Sequence, residues 1–123
     1  MSRRHIDQAR RNYRVYKLLS DEEFVDWAAT ALFYTALHII DARLEEMLGT
    51  APASHRARAQ WLSRLPLVQH VQDAYDDLRL ASETARYGDW APILDADRLA
   101  HLHDGPYRRV CEHFEAPDAI IPQ

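Results

Sequence analysis

An all-α fold, an up-and-down bundle of four to five helices, is what this sequence predicts, and three observations carry that expectation. Apolar residues recur at intervals of three and four along most of the chain. No run alternates apolar and polar residues as a strand would. There are only three glycines, and two of them, Gly49 and Gly88, stand directly after long periodic segments, where a left-handed helix cap is wanted. At 123 residues, 47% of them hydrophobic, the chain has about the length of one ordinary domain. A single domain is expected, with its core over about residues 5–115 and a loosely held tail at 116–123.

The first helix is expected over roughly Ser2 to Leu19, with Ile6, Ala9, Tyr13 and Tyr16 on one face. Arg3, Arg10, Arg14 and Lys17 fall within roughly 60° of one another at about 100° per residue, so they form a basic stripe. Ser20-Asp21-Glu22-Glu23 reads as a capping box that starts the second helix, and Gly49 ends it. That span of about 28 residues would be on the order of 40 Å long. From Phe24 to Ile40 it is apolar on nearly every side, which predicts a helix at the centre of the bundle, wrapped by the others.

A loop at Thr50–Ser54 precedes a short helix over about His55 to Ser63, with Ser54 as its cap. Pro66 suits the first turn of a third long helix, whose seam residues include Leu67, Val71, Ala74, Leu78, Ala81 and Ala85; Gly88 closes it. Asp89 to Asp97 reads as a loop. A last segment from about Arg98 is expected to break at Asp104-Gly105-Pro106, after which Tyr107, Val110, Cys111 and Phe114 give one more apolar stripe.

Composition narrows the function classes. The single cysteine, Cys111, excludes an internal disulfide. The longest apolar stretch, Trp27 to Ile40, is interrupted by Thr30, Thr35 and His38 and is too short to span a bilayer. The opening residues lack an apolar signal region. These features predict a cytoplasmic protein without a membrane partner. The net charge is −4, but residues 1 to 19 hold six basic residues against one acid, and the remainder holds nine against eighteen. Such a chain can dock a phosphate backbone locally, while its overall field does not steer a polyanion from afar. No metal site and no cofactor are expected: His101-x-His103 and Cys111-x-His113 lack further ligands at a recognisable spacing, and three glycines cannot supply a phosphate-cradling loop.

Tyr34, His38 and Asp41 follow one another at steps of four and three along the central helix, so a hydroxyl, an imidazole and a carboxylate share one side of it. One reading makes His38 a satisfied core histidine, bonded to Asp41 or to a neighbouring helix. The other joins the stripe to His55, Arg58, Arg86 and Tyr87 as a cleft that holds a phosphate and stacks a base. Arg86 and Tyr87 also fit a plainer role, a cation favoured near a helix C-terminus and a ring packed under a loop.

Asp26-Trp27-Ala28-Ala29 followed by Phe33-Tyr34-Thr35-Ala36-Leu37-His38 resembles the second helix of bacterial HEPN proteins. Ser54-His55-Arg56-Ala57-Arg58 resembles the histidine and arginine that follow that helix in the family. Ala85-Arg86-Tyr87, preceded by Tyr75, Leu78 and Ser82, resembles its alanine-arginine-tyrosine signature. The resemblance spans roughly residues 9 to 115. It implies a helical bundle that commonly forms homodimers and occurs in toxin–antitoxin pairs, phage defence and RNA processing. Many members are metal-independent endoribonucleases whose arginine and histidine, four to six residues apart, make a composite site across the dimer. Others have lost that motif and bind nucleotides or dock proteins.

Metal-free RNA cleavage needs a base for the 2'-hydroxyl, an acid for the leaving oxygen and cations for the phosphorane, roles that histidine and arginine fill. Arg64/His70, Arg98/His103 and Arg108/His113 have the spacing, against roughly 2.4 such pairs expected by chance in this composition. The resemblance ranks Arg98/His103 first, because the family's motif lies near the start of a late helix. The expected function is therefore RNA or nucleotide engagement with His38, His55, Arg98 and His103 as acid–base or cationic groups and Tyr34, Arg58, Arg86 and Tyr87 as binding groups. The alternative is a non-catalytic module that docks an antitoxin-like or nucleotidyltransferase-like protein.

Overall fold

The computed structural model describes residues 3–65, 71–87 and 94–122, apart from the side chains of residues 86 and 87. Among the described residues there are helices and no strands. In chain order they are α1 (Arg3–Asp21), α2 (Val25–Leu48), α3 (His55–Arg64), α4 (Gln72–Tyr87), α5 (Ala96–Leu102) and α6 (Arg108–His113). A π-helical turn, His103–Tyr107, joins α5 to α6, and a 3-10 turn, Asp118–Ile120, follows.

α1 buries His5, Ile6, Ala9, Tyr13 and Tyr16, a stripe at helical spacing, against α2. α2 is the central element, in contact with α1, α4, α5, the π turn and α6. Its middle is wrapped as expected, with Leu32, Ile39, Ile40 and Leu44 fully buried. Its start departs from the expectation. Phe24 and Trp27 are 56% and 62% exposed, while Val25, Ala28 and Ala29 beside them pack on the core. No helix among the described residues is long and apolar enough to cross a membrane.

The expected capping box is not formed. Ser20 belongs to the last turn of α1, and α2 starts after Phe24, which makes no side-chain cap. The residues between form a Schellman turn: the Phe24 amide donates to the Leu19 carbonyl at 2.8 Å and the Glu23 amide to the Ser20 carbonyl at 3.1 Å. Glu23 takes the left-handed position, φ 63°, where glycine is preferred. Closing the α1–α2 hairpin thus overrides the local capping preference. Glu23→Gly is expected to stabilise the fold by about 0.5–1 kcal/mol, relief of left-handed strain exceeding the entropy cost of glycine. A chemical-denaturation midpoint that falls in the variant would contradict this assignment.

Ser54 caps α3 as predicted, accepting from the Ala57 amide at 3.1 Å, and Gly49 closes α2 at φ 84°. The start of the third long helix at Pro66, its stop at Gly88 and most of the Asp89–Asp97 loop lie outside the described residues. Asp95 begins α5, its carboxylate accepting from the Arg98 amide at 2.8 Å.

The break expected at Asp104-Gly105-Pro106 is instead the π turn, and the helical path continues through it into α6. A proline ring collides with the carbonyl four residues before it in an α-helix; the wider π turn moves that carbonyl aside. Nor is the C-terminal segment loose. The Tyr107 hydroxyl donates to the Ile120 carbonyl at 2.6 Å, and an Arg108 Nη1 donates to the Pro122 carbonyl at 3.0 Å. Arg43 ties α2 to the end of α6 through the Phe114 carbonyl, 3.0 Å, and the Glu115 carboxylate, 3.3 Å.

Candidate functional site

Two polar constellations lie near opposite ends of the inner face of α1. Its His5 and Tyr13 anchor them, and eight residues of helix separate these two by about 12 Å.

The first grows from the α2 stripe. His38 and Asp41 stand one turn apart, and Glu45 continues the stripe by one more turn. Asp41 does not bond His38. Its two carboxylate oxygens accept from Arg58 Nε at 2.6 Å and Nη2 at 2.7 Å, and the two side chains are only 4% and 6% exposed. A third donor, Arg58 Nη1, reaches His55 Nδ1 at 3.1 Å. An arginine only donates, so that nitrogen of His55 carries the lone pair. Burial works against the charged guanidinium, but the hydrogen bonds and charge of Asp41 outweigh it and raise the Arg58 pKa. The Tyr75 hydroxyl lies beside the guanidinium without closing a hydrogen bond. Burial raises its pKa, so it stays a neutral phenol.

His38 turns the other way, and its Nδ1 lies 2.9 Å from His5 Nδ1 on α1. On its far side His5 Nε2 stands 3.4 Å from a Glu45 carboxylate oxygen. Burial, then the charge of His5, pushes the His38 pKa down; Asp41 pulls it up, and Arg58 and Arg4 push it down further.

The structure thus brings His38, Asp41, His55 and Arg58 into one seam. Tyr34, one turn before His38, packs edge-on to Phe33. The side chains of Arg86 and Tyr87 lie outside the described residues. Arg58, expected to hold a phosphate, is instead the buried counter-ion of Asp41, with donors directed at Asp41 and His55. A groove of about 590 Å³ between α3 and α4 is lined by Arg56, Ala59, Gln60, Ser63, Gln72 and Arg79, none of them from the predicted cleft.

The second constellation centres on His103, the first residue of the π turn. Its Nε2 meets the Tyr13 hydroxyl at 2.8 Å and its Nδ1 meets the Asp104 carboxylate at 2.9 Å. In the neutral ring the carboxylate can only accept, so Nδ1 carries the proton and Nε2 accepts from Tyr13. Tyr13, Tyr16 and Tyr107 stack about the imidazole, with ring centroids 5.9, 5.1 and 5.7 Å from it and 14° between planes. Burial raises the pKa of Tyr13 and lifts that of Tyr16 to about 12. Lys17 sets its ammonium 5.0 Å from the Tyr13 ring centroid, and Arg108 lies near enough to lower the Tyr13 pKa against that trend. Cys111 is buried beneath, its thiol pushed up to about 12 by desolvation, which leaves it an unreactive thiol.

His103 is therefore matched with Tyr13 and Asp104 rather than with Arg98. Five helical steps place Arg98 about 140° around the axis from His103, and it is exposed. The neighbouring Asp104 was visible in the sequence beside His103. Tyr13 and His5 carried no signal, because each falls on an inward stripe that reads as core. Among the described residues no group of three or more His, Cys, Asp or Glu side chains is placed to hold a metal. No protein-family model, curated protein or solved structure matches the chain.

Proposed function

We propose that this protein is a HEPN-like RNA-engaging bundle in which His103 is the acid–base group of a metal-independent cleavage and the exposed cations of α1 hold the phosphate backbone. The observation that supports the reading is the paired Tyr13–His103–Asp104 contact. A carboxylate fixes the tautomer of an imidazole, and a hydroxyl occupies the nitrogen that would take a proton from a 2'-hydroxyl. The π turn is in keeping with this, since such turns recur at functional positions. Arg14 and Lys17 are exposed on the same helix as Tyr13, and cations so placed bind phosphates irrespective of base sequence. Arg98 is left without a role in this site.

The test is cleavage of mixed RNA by the purified chain in a chelator. Wild type is expected to cut, and His103→Ala to be slower by at least roughly 100-fold. A urea-denaturation midpoint of His103→Ala equal to that of wild type controls for loss of fold. Removing Arg14 or Lys17 is expected to weaken binding equally for all sequences and to reduce its salt dependence by about one charge each. Intact RNA, with no binding at low salt, would sink the proposal. A second reading, docking of a protein partner, is favoured by one observation: Leu18, Phe24 and Trp27 are more than half exposed about the α1–α2 corner.

A further inference from the structure

The His5–His38 contact has no part in the RNA reading and stands independently of it. A short approach between two Nδ1 atoms requires one ring to supply an N–H and the other a lone pair. With both rings neutral this is satisfied. One added proton is also accommodated: the doubly protonated ring would donate from Nδ1 to the lone pair of the other. A second added proton is not. It would set two N–H groups face to face at 2.9 Å, in a place where His5 is 9% exposed. His38 cannot turn to Asp41 for relief, because both oxygens of that carboxylate are bound by Arg58.

We propose that His5 and His38 form a proton-limited latch, which holds the first turns of α1 against α2 while the pair carries at most one added proton and releases them when it takes a second. Among the described residues, the charged groups that face the pair are Arg4 on α1, Asp41 and Glu45 on α2, and Arg58 on α3. Arg4 and Arg58 oppose a proton on His38, and Asp41 favours it. The linkage has a definite sign. Burial lowers the His38 pKa in the closed state, so opening takes up a proton. The latch is at full strength above about pH 6.5, the ordinary histidine value. It weakens as pH falls from there to the lowered His38 value, and below that the effect is complete.

Amide hydrogen exchange of the full chain tests this. After correction for the intrinsic chemical rate, protection of the Asp7 to Arg10 amides is expected to fall about tenfold per pH unit within that window. The amides of Ile39 and Ile40 on α2 are not expected to follow. His38→Gln, which can hydrogen-bond but does not titrate, is expected to abolish the step. Equal loss in that variant, or a flat profile in wild type, overturns the latch. Should His38→Gln fail to fold, the wild-type protein still decides the matter. A through-hydrogen-bond coupling between the two Nδ1 nuclei is expected at pH 7, and its absence overturns the proposal.

Discussion

Arg58→Ala is expected to destabilise the fold by about 3–5 kcal/mol, because it strips the Asp41 carboxylate of both its donors while leaving it buried. The carboxylate accepts at 2.6 and 2.7 Å from a guanidinium that is itself 6% exposed, so neither charge can recover its hydration when the other is removed. Arg58→Lys is expected to recover only part of the loss, since one ammonium cannot reproduce the bidentate geometry. The double substitution Asp41→Leu, Arg58→Met removes both charges together. It is expected to lie within a few kcal/mol of wild type, on either side, as buried pairs exchanged for apolar side chains often do. Urea denaturation of the three proteins separates these cases. A single-variant loss below about 1 kcal/mol would place the pair with surface ion pairs and remove the reason for Arg58 to lie inside. The pair also has a positional role: it links α2 to α3, presents Arg58 Nη1 to His55, and denies Asp41 to His38.

That denial illustrates what the sequence could and could not carry. The stripe Tyr34, His38, Asp41 was legible because helical spacing alone puts those residues on one side of α2, and the short cap at Ser54 was legible because capping is local. The partners were not. His5 and His38 are 33 residues apart, and Tyr13 and His103 are 90 apart. No periodicity in a single sequence marks which inward-facing tyrosine or histidine will meet which imidazole. Local rules also failed where tertiary closure outweighed them. Ser20-Asp21-Glu22-Glu23 has the residues of a capping box, yet the hairpin forces Glu23 left-handed. Glu115, at φ 53°, ends α6 in the same manner, its successor Ala116 donating to the Cys111 carbonyl at 2.9 Å. Without a glycine at either place, nothing in the residue types announced the turn. Gly105-Pro106 misled in the opposite direction, since a proline stops an α-helix but is tolerated where one turn widens.

Ile120→Ala is expected to cost about 2–5 kcal/mol, the range for emptying a filled core position. A loosely held tail would predict the ordinary surface value, within about 0.5 kcal/mol, so the measurement discriminates sharply. Ile120 is 1% exposed, and its carbonyl accepts from the Tyr107 hydroxyl at 2.6 Å and, more weakly, from the Cys111 thiol at 3.6 Å. Tyr107 is fully buried, and burial strongly raises its pKa, so its hydroxyl remains a donor at every pH the fold survives. Tyr107→Phe, which keeps the ring and leaves the Ile120 carbonyl short of its best partner, is expected to lose about 1–3 kcal/mol. Ile120→Ala keeps the carbonyl to which Tyr107 donates, so the two losses have separate origins, and any departure of the double variant from their sum measures the coupling between these bonded residues. Tyr107 also stacks on Tyr13 and on His103, so a fold loosened at Ile120 is expected to loosen the imidazole as well. In the ring NMR spectrum of Ile120→Ala, His103 should show this as broadened resonances while His55, at the opposite constellation, stays sharp. If both rings respond alike, Ile120 supports the whole bundle and not the His103 wall in particular.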